Sequence, residues 1–271
     1  MQFAWVRFAL SALLVLSVVL QASGGASSMR VRVWSIGDAW GLTGSEDGQA
    51  AHRPEFSGSQ PSCGSDLHCT GGTGRVSFPL RRSDTTTVPP AEWRNMMVLQ
   101  KPTTPGGYAF EYALADNQAY DVRFQTVYKY RPDAKGVSSI LWEVGGGENA
   151  LGVVNDIGTG NRFFYNPNNT AQWHSEVLHY GRVDTWEIQM LWTHAATGWT
   201  DVYRNGTKVF HYTGAVKPYA DCNHPNCFTA FGMYYYRWND AARLSTVKDQ
   251  NVTFNYFVLD KIPGPVPPAL P

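Results

Sequence analysis

The residues whose types and spacing suit chemistry begin with the run Phe231-Gly232-Met233-Tyr234-Tyr235-Tyr236-Arg237-Trp238. Read as a strand, it alternates faces: Gly232, Tyr234, Tyr236 and Trp238 on one, Phe231, Met233 and Tyr235 on the other. The second set is apolar and belongs in a core. The first set presents two phenols and an indole beside a glycine, a flat platform of the kind on which sugar rings stack, and the same pattern is also met as plain aromatic packing under a loop. A phenol with a pKa of about 10 is a poor base at neutral pH, so proton transfer by Tyr234 needs a nearby cation. Parity turns Arg237 to the other face.

A second group lies mid-chain, where Arg123, Gln125 and Lys129 share a face opposite to Val122, Phe124 and Tyr128. If segment 120–130 pairs with Ser138–Val144 through the turn at 131–136, an even register sets Arg123 or Gln125 across from Glu143. A cation, an amide and a carboxylate would then stand together. Aromatic surroundings would raise the carboxylate's pKa toward neutrality and suit it to act as a base. The bland counterpart is a cross-strand ion pair worth about 0.2–1 kcal/mol.

Other constellations carry less. His174 and His179 flank Glu176, but the surroundings read as loop or strand, so a surface role outweighs metal ligation. Gly145-Gly146-Gly147 has no helix after it to complete a phosphate cradle, and no nucleophile elbow supports a hydrolytic triad. No cofactor and no metal is expected, and whether a calcium ion stabilises a loop stays open.

The elements that must position these groups are strands. β-Branched and aromatic residues recur in short runs between Gly, Pro, Asn and Asp, with almost no helical period. The runs are 31–36, 108–114, 120–130, Ser138–Val144, 186–193, 200–204, 207–212, 228–236 and 252–259. Asn205-Gly206 between two of them is a type I′ hairpin signal, because both turn positions need φ > 0. Many strands without helices predict an all-β, two-sheet antiparallel β-sandwich. Segment 37–88, rich in Gly, Ser, Asp and Thr, reads as a long loop or decorated edge, and 263–271 as a Pro-rich tail.

At the scale of the chain, Arg7 precedes an apolar run from Phe8 to Leu20, with small residues at Ala22, Gly24 and Ala26. That order predicts a signal peptide over 1–26 and a secreted, extracellular product with no membrane span. Roughly 245 of the 271 residues then remain, consistent with one sandwich domain over 27–262. Lys plus Arg and Asp plus Glu are equal at 22 each, so no long-range field draws a nucleic acid or an acidic polymer. A charged ligand must be met by a local cluster.

Four cysteines in an oxidising compartment suggest two disulfides, and their placement suggests Cys63 with Cys69 and Cys222 with Cys227, among three formal connectivities. Neither pair has the spacing of a zinc site. Asn168, Asn205 and Asn251 each open an N-x-Thr sequon for glycosylation.

From 120 to 236 the order of features resembles the concanavalin A-like jelly-roll polysaccharide lyases, the group of heparin lyase I, glucuronan lyase and related alginate lyases. The likeness rests on strand 120–130 with its Pro-containing turn, on Ser138–Val144, on Thr185-Trp186-Glu187-Ile188-Gln189-Met190-Leu191-Trp192 followed by the Asn205-Gly206 hairpin, and on Phe231 to Arg237. The tryptophan strand and hairpin occur in many glycan-binding sandwiches and identify a fold rather than a reaction.

The resemblance implies that Tyr234, in the place of the family's Gly-x-Tyr, exchanges a proton with a sugar. It implies a monomer acting on an extracellular polysaccharide, with β-elimination at a uronate as the reaction. On this reading Arg123 and Gln125 neutralise the carboxylate, Tyr234 does the proton work with Glu143 assisting, and Tyr236, Trp238 and Lys129 bind substrate. The sequence departs from the family where Leu141-Trp142-Glu143 replaces Gln-x-His and Ala109-Phe110-Glu111 replaces Arg-x-Glu. A carboxylate facing a uronate repels it. Two alternatives stay open: a lectin-like module that grips glycan on the same aromatic floor without chemistry, and a laminarinase-type hydrolase. The latter needs paired carboxylates roughly 5–5.5 Å apart, and its Glu-x-Asp-x-x-Glu is not found.

Overall fold

Alternation along single strands sorts this chain into layers. In the segment Gln118–Lys129, Val122, Phe124 and Tyr128 are buried while Arg123 and Gln125 are half-buried and Lys129 is exposed, as the period of two requires. The protein is seen in a computed structural model that describes residues 30–38, 40–42, 54–63, 68–80, 92–99, 114–129, 138–144, 149–156, 160–165, 181–218, 220, 222, 229–236 and 250–263.

Among these residues the regular elements are strands: β1 Val31–Ser35, β2 Trp40–Leu42, β3 Glu55–Phe56, β4 Ser62–Cys63, β5 His68–Thr70, β6 Val76–Leu80, β7 Glu92–Leu99, β8 Gln118–Lys129, β9 Ser138–Val144, β10 Asn149–Asp156, β11 Gly160–Tyr165, β12 Val183–Trp192, β13 Trp199–Arg204, β14 Thr207–Thr213, β15 Thr229–Tyr236 and β16 Gln250–Ile262. They form two antiparallel sheets. Sheet I has the order β14-β13-β12-β8-β16-β6-β3, with β1 also paired to β16, and sheet II has the order β11-β10-β9-β15-β7-β2-β5-β4. The long β16 serves two neighbours on one edge, β6 with its first half and β1 with its second. Among the described residues no helix is long and apolar enough to cross a membrane.

The inner faces meet in an aromatic core. Phe231 of sheet II stacks on Phe257 of sheet I with ring centroids 4.2 Å apart and planes at 10°, and Trp34 stands edge-on to Phe231 at 5.7 Å. Phe78 and Phe254 close the group from β6 and β16. Such pairs add about 0.5–1.5 kcal/mol each beyond the area they bury. Trp142, expected in the core, is fully buried there, as are Phe231 and Met233.

The predicted hairpin is present: β13 and β14 pair from Arg204 and Thr207 outward, and Asn205 and Gly206 have φ of 51° and 79°. Segment 37–88 contributes β2 to β6 at the margins of both sheets, the decorated edge of its two expected forms. One expectation is corrected: β8 does not pair with β9. Both edges of β8 are occupied, by β12 and β16 in sheet I, while β9 lies between β10 and β15 in sheet II. Two neighbouring amphipathic strands can bury their apolar faces against each other across a sandwich as well as side by side. Of the predicted strand 108–114 only Leu114 is described, buried and outside any strand, and residues 1–29 and 264–271, Asn168, Cys227 and Trp238 lie outside the described residues.

Candidate functional site

The site begins at Gly232. Its φ is +142°, and a Cβ there would meet the Asn95 carbonyl oxygen at 2.4 Å and the Met96 Cα at 2.8 Å. The hydrogen side chain therefore does more than leave room for a flat floor: it lets the backbone of β15 approach β7. Two residues on, Tyr234 is the register partner of Arg94, and Tyr236 that of Glu92. Directly opposed residues of an antiparallel pair share a face, so this register puts a cation position beside the Tyr234 position.

Sequence reasoning missed Arg94, because Glu92-Trp93-Arg94-Asn95-Met96-Met97-Val98-Leu99 ends in an apolar run without alternation. The run makes sense in the fold. Met97 and Leu99 enter the core between the sheets, while Met96 and Val98 are buried in the opposite phase, which they share with Ala230 and Gly232. The signal that could have found Arg94 is the spaced pair Glu92-x-Arg94, two opposite charges just ahead of that apolar run.

Glu143 also belongs to sheet II. Its register partners are Ala150 and Ala230, which sets it on the neighbouring strand four residues along from the Tyr234 position, or about 13 Å.

Arg123, Gln125 and Lys129 are on the other sheet, so the predicted cluster of Arg123, Gln125, Glu143 and Tyr234 is not assembled. Arg123 instead faces Glu187 and Val258 and belongs to an ion network on the outer face of sheet I. Asp121 and Asp260, both buried, are register partners, and like charges set opposite each other require counterions. Three arginines supply them. Arg123 and Arg32 each bond Asp260, and Arg30 lies 2.6 Å from Asp121, which Arg123 also approaches at 3.3 Å. Burial, followed by the negative charge of Glu187 on the neighbouring strand, pushes Asp121 up to about 6 against the pull of Arg30 and Arg123. Gln125 is tied sideways, donating to Thr185 at 3.1 Å and accepting from Asn255 at 2.8 Å.

Of the cysteines, Cys63 and Cys69 are register partners on β4 and β5, and Cys222 is buried and disulfide-bonded. Of the sequons, Asn205 uses its side chain in the hairpin, accepting from the Thr185 N–H at 2.8 Å and donating to Asp184 at 3.0 Å, and Asn251 sits within β16. His174, Glu176 and His179 lie outside the described residues, among which no group of three metal-ligating side chains occurs.

The architecture is similar to that of solved polysaccharide lyases. An endo-β-1,4-glucuronan lyase from the fungus Trichoderma reesei superposes with a TM-score of 0.51 at 10% identity, over 84% of this chain and 95% of that one. An alginate lyase of polysaccharide lyase family 7 gives 0.50 at 12% identity, over 83% and 94%. At such identity the likeness is one of fold, the jelly-roll β-sandwich expected from the sequence. No protein-family model and no curated protein matches the chain.

Proposed function

We propose that this chain is a secreted polysaccharide lyase that cleaves a uronic-acid-containing polymer by β-elimination. The observation that carries the reading is the Gly232-x-Tyr234 strand with Arg94 in register beside it, on a fold shared with solved lyases. Elimination needs a group that neutralises the uronate carboxylate, a base for the C5 proton and an acid for the departing oxygen. Arg94 neutralises the carboxylate and favours the phenolate of Tyr234, which removes the C5 proton. The C5–H electron pair forms the C4–C5 double bond as the C4–O bond breaks, and the leaving oxygen takes a proton from the phenol. Glu143 acts one sugar away, orienting hydroxyl groups.

The supporting frame is a signal peptide over 1–26, a domain over 27–262, bridges Cys63–Cys69 and Cys222–Cys227, and a monomeric state. Tyr236 and Trp238 extend the sugar floor. A lectin-like binding module is the second reading, favoured by Leu141-Trp142-Glu143 where the lyases carry Gln-x-His.

Ultraviolet absorbance of the new double bond, conjugated to the carboxylate, separates the readings on glucuronan, alginate, heparin and a neutral β-glucan. Lysis produces it, hydrolysis produces reducing ends alone, and binding produces neither. Tyr234→Phe and Arg94→Gln should each lower kcat on the active substrate by about 10²–10⁴ with KM changed far less for Tyr234→Phe. Turnover unaltered in Tyr234→Phe rejects the proton-transfer role.

A further inference from the structure

The outer face of sheet I holds an open groove of about 720 Å³ that the proposed lyase chemistry does not use. Its floor is made by a β-bulge. The register of β16 against β8 shifts between Phe254 and Tyr256, so Asn255 is the extra residue, and Asn255 and Tyr256 are both half-buried between the core residues Phe254 and Phe257. One phenol ring and one amide thus stand side by side where a regular strand would show one of them. The Asn255–Gln125–Thr185 bonds hold both amides across three strands, so the polar part of the floor is set before any ligand arrives.

One wall is a ribbon in which Ser57 donates to the Arg75 carbonyl at 3.0 Å and Gly58 to the Thr73 carbonyl at 3.1 Å. Gly72 and Gly74, with φ of +94° and +89°, shape it, and a Cβ at Gly72 would run into the Phe56 ring at 2.6 Å. The ribbon carries Arg75 to the rim, where it is exposed and has no ion-pair partner among the described residues. Among the described residues no carboxylate lines the groove. The Tyr256 hydroxyl also has no hydrogen-bond partner among the described residues. Burial holds its pKa above the usual range, against Arg123 and with Glu187 and Asp121, so it stays a donor.

We infer that this groove is a second carbohydrate site, on the sheet opposite to Tyr234, that takes an acidic oligosaccharide segment, with a sugar ring against Tyr256, its hydroxyls on Gln125 and Asn255, and a uronate carboxylate at Arg75. Its volume falls in the range of small-ligand sites, roughly 300–1,000 Å³. A polymer held there stays attached to the protein between cleavage events, which raises its effective concentration at the other sheet. The choice of polymer rests on the lyase reading; the groove does not.

The test is affinity electrophoresis of the purified chain through gels containing glucuronan or alginate, with laminarin as the neutral control. The parent chain should be retarded by a polyuronate and not by laminarin. Tyr256→Ala and Arg75→Gln should each weaken the retardation on the order of fivefold or more, with unfolding temperature unchanged in Arg75→Gln, and turnover on short oligomers should persist in both. Tyr234→Phe should lose turnover and keep the retardation. Parent-like migration of both groove variants, or no retardation of the parent by any polyuronate, overturns the site. Retardation by laminarin that survives Arg75→Gln overturns its acidic specificity. Retardation that depends on Tyr256 without any elimination product keeps the groove and rejects the lyase.

Discussion

Asp121 is a side chain whose place only the fold reveals. It stands between Tyr120 and Val122 near the start of β8 and is buried opposite a second buried carboxylate, Asp260. Its folded pKa of about 6 exceeds the unfolded value of about 3.9, so between them the folded state binds more protons. The sign follows: this contribution is fully present below about pH 4 and is lost as pH rises through about 6. Urea midpoints measured from pH 4 to 7 should fall by the equivalent of about 1–3 kcal/mol for this group, and Asp121→Asn should flatten the slope. Gly232 is a second case. Its φ of +142° and the 2.4 Å approach to the Asn95 carbonyl mean that Gly232→Ala should destabilise by about 1–3 kcal/mol, read as a drop in unfolding temperature. The glycine was legible as a special position from its aromatic neighbours. The backbone that it accommodates was not, since β7 is far away in sequence.

Among the elements, the β13–β14 hairpin could be read directly, because a turn with two positive φ values leaves few choices of residue. Asn205 adds two side-chain bonds, to the Thr185 N–H and to Asp184, the carboxylate that also receives Arg204 at 2.8 Å in a buried pair. Asn205→Ala should therefore cost about 1–2 kcal/mol in urea unfolding, and Asn205→Asp should not restore it, since a second carboxylate would face Asp184. Strand β8 was equally legible in itself: its alternation named the right residues for each face. Its partners were not. Strand pairing depends on which edges are free, and the short connection to β9 suggested a hairpin that the two sheets do not form. Strand β7 was missed because it is buried in both phases over Asn95–Leu99, which erases the period of two.

For the whole molecule, the stacked rings of Phe231 and Phe257 join the two sheets at the strand that carries Tyr234. Phe231→Ala should lower stability by about 3–5 kcal/mol, measured by denaturant unfolding, because the rings around it cannot all collapse into the space left. Any loss of activity in that variant should track the unfolded fraction.

What the sequence determined by itself is local and periodic: the all-β class, the faces of β8, the core places of Trp142, Phe231 and Met233, and the hairpin at Asn205-Gly206. These follow from backbone sterics and from which side chains avoid water, both of which act over a few residues. Only the tertiary structure decided that Arg123 and Gln125 stand on one sheet and Tyr234 and Glu143 on the other, and that Arg94 is the partner of Tyr234. That choice is made by long-range edge pairing, where apolar strands of similar pattern compete and only the closed pair of sheets buries all their faces at once.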